Sequence, residues 1–544
     1  MICARIARAL VFMFVVAGGS FVPTALSAQA PAEKPNPGVF SPQQAEHGRR
    51  IYGAFCATCH GAELEGAVGP ALAGPAFTNK WSAPGRTAHD LYRVLSTTMP
   101  RPAAGSLAES SYVDVLAYIP SRNGFAPGAT PTGKGPSQSD LTNAAKSTDW
   151  LYNTHDFSGT RHAPLRQITT ANVSRLHAVC AFQIGTVETF VTGPLVWQGT
   201  MYLTTARLTI AIDAATCQER WRHTWEPRDG FSWSNNRGVA IKDGYLFRGT
   251  LDGYLMALDA ATGRFLWARQ VAHPAAGEQI TMAPLLFEDL VIIGPAGSEL
   301  NVQGWIGAFR VTDGSLVWKF HTIPRPGEPG ADTWQNAPGL PVGGGGVWTA
   351  PTLDAASGDL FVAVTNPAPD LPMALRPGLN LYTNSVVVLD VRTGALRWYK
   401  QMVPRDPHDW DVTQVSPLIT VKRGGRAHDV VVTVGKDGML RPVDRRSHES
   451  LYETAVTTRL NVGEPVTRAG VRVCPGVLGG VEWNGPAYDP AGGCSSRRPW
   501  TGARSSSSPT ACASRPGNCI WAARSFSTRP RRGGSPRWTP PPAR

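Results

Sequence analysis

An eleven-residue unit recurring at intervals near fifty residues constrains this chain more than any other feature. It first reads Ala211-Ile212-Asp213-Ala214-Ala215-Thr216-Cys217-Gln218-Glu219-Arg220-Trp221. It returns as Ala257-Leu258-Asp259-Ala260-Ala261-Thr262-Gly263-Arg264-Phe265-Leu266-Trp267. Further copies span residues 308–318, with Asp313-Gly314 at the turn, and 388–398, with Thr393-Gly394; a degraded copy closes at Tyr452. The closing aromatics are 46, 51, 80 and 54 residues apart. Each unit reads as a strand, a tight turn and a strand that ends in an aromatic ring. Repetition at this period predicts a mainly β protein, a propeller of four-stranded antiparallel blades over residues 148–491. A β-sandwich with similar hairpins explains the spacing less well.

A second motif lies upstream. Cys56-Ala57-Thr58-Cys59-His60 is the attachment signature of a c-type haem, in which two thiols bind the haem vinyl groups and the histidine ligates iron. Zinc would need two further ligands nearby, and none pairs with this motif. Helix-like stretches at 42–55 and 112–119 frame a small all-α cytochrome domain, residues 38–126. Met99, in Thr98-Met99-Pro100, is the expected second axial ligand opposite His60, since Met/His ligation is common among cytochromes c. Residues 127–147 open with a Gly-, Pro-, Ser- and Thr-rich stretch and read as a flexible linker.

The two ends differ from the body. Arg5 and Arg8, an apolar run at 9–17 and Ala28-Gln29-Ala30 read as a cleaved export signal over residues 1–30, too short to span a bilayer. The expected compartment is the periplasm. The formal charge of +12 invites a nucleic-acid partner, but residues 492–544 hold ten Arg and no Lys, Asp or Glu. Without them 42 basic residues face 40 acidic ones, so the body has no basic surplus for nucleic acid. That tail has Ile520 alone among Val, Ile, Leu and Met and cannot build a core. It reads as aberrant, from a shifted reading frame or as a natural basic tail, and on the first reading the propeller is incomplete. Cys180, Cys217 and Cys474 remain outside the haem motif, the signal and the tail; a Cys180–Cys217 bridge is one possibility.

The repeat and its flanking motifs resemble the pyrroloquinoline-quinone (PQQ) dependent alcohol dehydrogenases, the methanol and ethanol dehydrogenase family. With the cytochrome, the chain resembles a quinohaemoprotein whose haem domain comes first. The resemblance implies an eight-bladed propeller, although the matching region of about 340 residues is short for one. It implies PQQ, one covalent haem c, and a calcium or lanthanide ion as cofactors. Trp348 matches the tryptophan that floors the quinone ring, Arg237 an arginine that pairs with the cofactor, and Thr281 a hydroxyl donor. Gly297-Ser298-Glu299 matches a cofactor loop ending in a metal-ligating glutamate, and Asn366 the asparagine ligand of the same ion. Asp409 matches the catalytic base, also at the metal, and Lys436 the residue that hydrogen-bonds the reactive carbonyl. Asn484 is a weaker match on that side, and Asp411 matches an extra aspartate that marks lanthanide-using members. Phe231 and Ser232 stand where some members carry two adjacent cysteines, Val191 where a Glu or Gln contacts the cofactor, and Ala296 where serine is common.

The implied function is oxidation of a small alcohol through PQQ, with electrons passing to haem and then to a soluble or membrane acceptor. An electron-carrying cytochrome without enzymatic activity and an inactive truncated pseudo-enzyme are the alternatives.

Overall fold

The computed structural model describes residues 40, 42–81, 88–123, 131–227, 233–464, 466–467, 469–493 and 518–522. The signal and nearly all of the basic tail therefore lie outside the described residues. Five helices form the haem domain: α1 (Pro42–Phe55), α2 (Ala57–His60), α3 (Pro75–Trp81), α4 (Ala88–Thr98) and α5 (Glu109–Arg122). Tyr52, Leu64, Leu91, Leu95, Tyr112, Val115 and Ile119 close its core, and Cys56 packs against them. No described helix is long and apolar enough to cross a membrane.

Five four-stranded antiparallel sheets follow among the described residues. The first runs Leu195–Trp197, Thr200–Thr204, Leu208–Asp213 and Glu219–Thr224. The second runs Ala240–Lys242, Tyr245–Gly249, Tyr254–Asp259 and Phe265–Gln270. The third runs Leu285–Phe287, Leu290–Ile293, Trp305–Arg310 and Leu316–His321. The fourth holds Thr352–Asp354, Asp359–Val364, Ser385–Asp390 and Leu396–Gln401, and the fifth Val412–Arg423, Arg426–Gly435, Met439–Asp444 and Thr454–Ala455. Strands pair in chain order within every one, the meander of a propeller blade. A further strand, Pro486–Gly493, pairs with Asn518–Ala522 from within the tail.

The repeat joins the sheets. Its seventh position is Cys217, Gly263, Gly314, Gly394 and His448 in turn, with φ of 61°, 71°, 69°, 73° and 61°. The backbone N–H there closes on the carbonyl four residues back in each copy, at 2.8–2.9 Å. This left-handed turn explains the glycines, and it lets the closing tryptophan of one sheet lie on the turn of the next. Side chains at Gly263, Gly314 and Gly394 would run into the rings of Trp221, Trp267 and Trp318. The indole N–H groups of Trp221 and Trp318 also donate to the carbonyls of Ala260 and Val391 in those next units.

One possibility left open is met and one expectation changes. Cys180 and Cys217 form a disulfide, which ties the otherwise exposed 176–190 stretch to the first sheet. The supposed flexible linker is folded where described: Ser137 and Asp140 form a capping box at α6 (Gln138–Thr142), and Leu141 and Ala144 enter the propeller core. Thr132 donates to Asp259, and Gln138 accepts from the Glu288 N–H, so the segment is pinned across two sheets. Composition favoured flexibility; local capping and two apolar anchors outweigh it.

Candidate cofactor and metal site

The site lies on connections between strands. Residues 406–411, which lead into the fifth sheet, are held by Asp406, whose carboxylate accepts from the N–H groups of His408 and Trp410 and from Asn384 at 2.7–2.9 Å. Burial pushes Asp406 up to about 6. This turn leaves Asp409 at a φ of 60° and puts Asp409 and Asp411 beside one ammonium: Lys436 Nζ is 3.0 Å from Asp409 and 2.9 Å from Asp411. Although burial opposes its charge, the two aspartates hold Lys436 protonated.

Asp411 fastens three further parts of the site. Its carboxylate accepts from the Asn366 N–H at 2.8 Å and from Trp348 Nε1 at 3.2 Å. Ser298 bonds the Thr365 hydroxyl at 2.8 Å and the Gly346 N–H at 3.0 Å, drawing the 297–299 loop against Trp348 and Asn366. Over Trp348 lies the guanidinium of Arg237, 4.4 Å from the ring centre, and Arg237 donates to the Thr281 hydroxyl at 2.7 Å. Burial pulls Arg237 down to about 10. Arg237, Trp483, Asn484 and Val191 share a cavity of about 170 Å³. Arg237 Nε and Asn484 Oδ1 are buried without a hydrogen-bond partner.

Three carboxylates, Glu299, Asp370 and Asp409, bring one oxygen each within 4.8 Å of the others. Asn366 donates to Asp370 at 2.8 Å, while Asn366 Oδ1 and Asp409 Oδ1 are buried and unpartnered. Burial and the Asp411 charge push Asp409 up to about 9, and the same crowding pushes Glu299, whose side chain still reaches solvent, up to about 7. Burial likewise raises Asp370, and it brings Glu482 to about 7. Crowded anionic oxygens and an orphaned amide oxygen are what a hard cation satisfies, so the residues fit a calcium or lanthanide ion.

The structure thus gathers Glu299, Asn366, Asp409, Asp411, Lys436 and Trp348 at one place, with Arg237, Thr281, Gly297 and Ser298 around them. Asp411 spends its oxygens on Trp348, Asn366 N–H and Lys436, and Asp370 completes the carboxylate group. Sequence reasoning missed Asp370, although it stands four residues after Asn366. It also missed Arg376, a fully buried side chain that donates to the carbonyls of Pro369, Asp370 and Asp406 and so clasps the two acidic loops.

In the haem domain, Cys56 and Cys59 are free thiols one helical turn apart, and His60 is buried. His60 Nδ1 lies 2.7 Å from the Pro70 carbonyl, which leaves Nε2 as the ligating atom. A side chain at Gly69 would strike the His60 ring, so the loop passes flat against it. These residues fit a haem c. Met99 follows α4, and its carbonyl accepts from the Tyr112 hydroxyl at 2.7 Å.

Residues 150–459 match the model of the glucose/ethanol/alcohol dehydrogenase β-propeller domain. The chain belongs to that family. Residues 43–119 of this family member match the model of the cbb3-type cytochrome c oxidase subunit III. A quinohemoprotein alcohol dehydrogenase of Pseudomonas putida is 31% identical over 379 residues, covering 63% of this chain and 55% of the relative. A lanthanide-dependent methanol dehydrogenase of Methylacidiphilum fumariolicum is 29% identical, covering 63% of each. The crystal structure of quinohemoprotein alcohol dehydrogenase from Comamonas testosteroni is similar with a TM-score of 0.57 and 28% identity, over 64% of this chain and 57% of that one. The chain spans about half the length of the quinohemoprotein relatives it matches.

Proposed function

We propose that the chain oxidises a small alcohol with PQQ and hands the electrons to a haem c held by Cys56, Cys59, His60 and Met99. The observation that carries this reading is the cluster of Glu299, Asp370 and Asp409 beside Lys436 and Trp348, on a propeller of the alcohol dehydrogenase family. Bound PQQ with its cation would supply an electrophilic carbonyl that accepts a hydride. Trp348 offers a flat π face and Arg237 a buried charge for cofactor carboxylates. Glu299, Asn366, Asp370 and Asp409 would hold the calcium or lanthanide ion, and its charge would leave Asp409 ionised. Asp409 Oδ1 would then take the hydroxyl proton of the alcohol, with Lys436 offsetting part of the charge of Asp409 and Asp411.

Export to the periplasm accords with the Cys180–Cys217 bridge and the haem motif, both products of oxidising compartments. The electron acceptor beyond haem is a soluble or membrane-bound one-electron carrier. The test is reconstitution of the purified protein with PQQ and either calcium or a lanthanide, followed by dye reduction across short-chain alcohols. Activity that vanishes in Asp409→Asn supports the proposal. A haem spectrum with no PQQ binding and no dye reduction would overturn it in favour of a cytochrome-only carrier.

A further inference from the structure

The haem domain meets the propeller through α5. Asp114 Oδ1 lies 2.8 Å from Arg269 Nη2, with both side chains largely buried, at 12% and 7% exposure. Arg269 belongs to the last strand of the second sheet. One turn earlier on the same helix, Glu109 Oε1 lies 3.3 Å from His273 Nε2, on the connection that leaves this strand. The two pairs form a clamp with a buried centre and a solvated edge.

Hydrogen bonds continue from the clamp in both directions. Toward the propeller, the His273 N–H donates to Glu278 Oε2 at 2.7 Å, and Glu278 Oε1 accepts from the indole of the buried Trp305 at 2.8 Å. Lys319 sits over the Trp305 ring at 4.1 Å. The next residue, Gln279, accepts from the Ala296 N–H at 2.8 Å, and Ala296 directly precedes the Gly297-Ser298-Glu299 loop. Toward the haem domain, Tyr112 stands three residues after Glu109 on α5 and donates to the carbonyl of Met99.

We infer that Asp114 and Arg269 dock the haem domain on the propeller, and that the line Ala296–Gln279–Glu278–His273–Glu109–α5–Tyr112–Met99 couples the quinone site to the haem. This inference rests on the proposed function above. Apart from Met99, the proposed haem ligand, none of these residues is placed in the alcohol, cation or haem chemistry; they are positioning residues. Along the line, bound reduced cofactor would supply two electrons, one at a time, to the haem held by Cys56, Cys59, His60 and Met99. An external one-electron oxidant would take the first before the second follows, and the proton taken by Asp409 and the one derived from the transferred hydride would pass to water.

The experiment uses the full chain carrying haem, PQQ and the cation, in four forms: wild type, Asp114→Arg, Arg269→Asp and the double reversal. Hydrogen exchange at residues 109–122 and 265–273 reads docking directly and needs no turnover. Stripping a buried ion pair of its partner is expected to raise exchange at both segments by roughly a hundredfold in each single variant, and the double reversal to restore much of the protection. Alcohol-driven haem reduction with ferricyanide as final oxidant is expected to slow in the singles and in His273→Ala, with reduction of a phenazine dye by the quinone site unchanged. Wild-type exchange in both single variants would overturn the clamp. Raised exchange with undiminished haem reduction would overturn the coupling route. Absence of dye reduction in wild type would refute the alcohol oxidation instead, while the exchange result would still decide the clamp.

Discussion

Trp398 stacks flat on His448, with ring centres 4.4 Å apart and planes 13° apart. In the preceding sheets the same tryptophan position rests on a turn glycine, and His448 occupies that glycine's place at a φ of 61°. The histidine therefore carries the backbone cost of a left-handed residue and offsets it with a ring contact.

Two substitutions separate these terms. His448→Gly loses the ring but relieves the backbone, whereas His448→Ala loses the ring and keeps the strain. The left-handed conformation costs an L-residue roughly 1–2 kcal/mol, so the alanine variant is expected to be less stable than the glycine variant by about 1 kcal/mol. Chemical denaturation followed by tryptophan fluorescence measures the difference; equal stabilities would show that the turn is not strained.

The repeat carboxylates make the propeller acid-sensitive. The Asp444 carboxylate is held down to about 2 by the Ser447 N–H and then by His428, and Asp390 is also lowered despite some burial, by Arg397 and the turn amides. A carboxylate depressed in the folded state adds stability above its unfolded value of about 3.9, and that stability drains away as pH falls toward about 2. Unfolding midpoints are expected to drop between pH 4 and pH 2, and Asp444→Asn to flatten this slope while lowering stability at neutral pH. An unchanged slope in the variant would count against the turn carboxylates as its source.

Much of this fold was legible because the repeat is local: a left-handed turn residue and a closing aromatic sit within eleven residues in each copy, and an aspartate lies four residues before the turn residue in all but the third, where Arg310 stands. The haem motif was legible for the same reason. The site was legible only in pieces. Nothing in the spacing shows that Asp370 joins Glu299 and Asp409, because those three residues come from three different connections that meet only in the folded chain. Arg376 was invisible for a related reason: its role lies in backbone carbonyls of two loops, which carry no sequence signature. The ordered 131–147 segment was missed because a Gly- and Pro-rich composition hid two small apolar anchors, Leu141 and Ala144.

The carboxylate group makes a distinction between two nearby aspartates. Asp370→Asn removes one of the three clustered negative charges, whereas Asp411→Asn removes a charge outside that group and keeps an oxygen for Trp348 or the Asn366 N–H. Terbium luminescence or calorimetry is expected to show cation affinity falling at least tenfold, about 1.4 kcal/mol, for Asp370→Asn. Asp411→Asn is expected to weaken the cation less and to disturb Trp348 fluorescence more. The reverse ranking would make Asp411 the third ligand.

Arg376 links the two loops that bear these ligands. Removing a buried guanidinium that serves several carbonyls leaves those acceptors unpaired, and Arg376→Met is expected to cost roughly 3 kcal/mol of stability. Its effect on the site is indirect, so cation binding is expected to weaken while saturating cation still restores a single tight stoichiometry. Denaturation with and without calcium checks both parts: a variant as stable as wild type without the ion would show that the loops hold their positions unaided.

Clustering like charges costs stability unless a cation answers them. Asp409 sits with Glu299 and Asp370 on one side and Asp411 on the other, and one of its oxygens has no partner. Lys436 balances only part of this charge, since Asp411 competes for the same ammonium. In cation-free protein near neutral pH, Asp409→Asn is therefore expected to raise the Tm, because the crowding that pushes Asp409 up to about 9 makes folding carry the cost of protonating it, a cost the neutral amide lacks while keeping an oxygen for Lys436. Added calcium is expected to stabilise wild type and to leave the variant nearly unmoved, reversing their order. If the variant melts below wild type in the absence of any cation, Asp409 is held in place by its bond to Lys436, and the cluster is not the strained, ion-seeking arrangement described above.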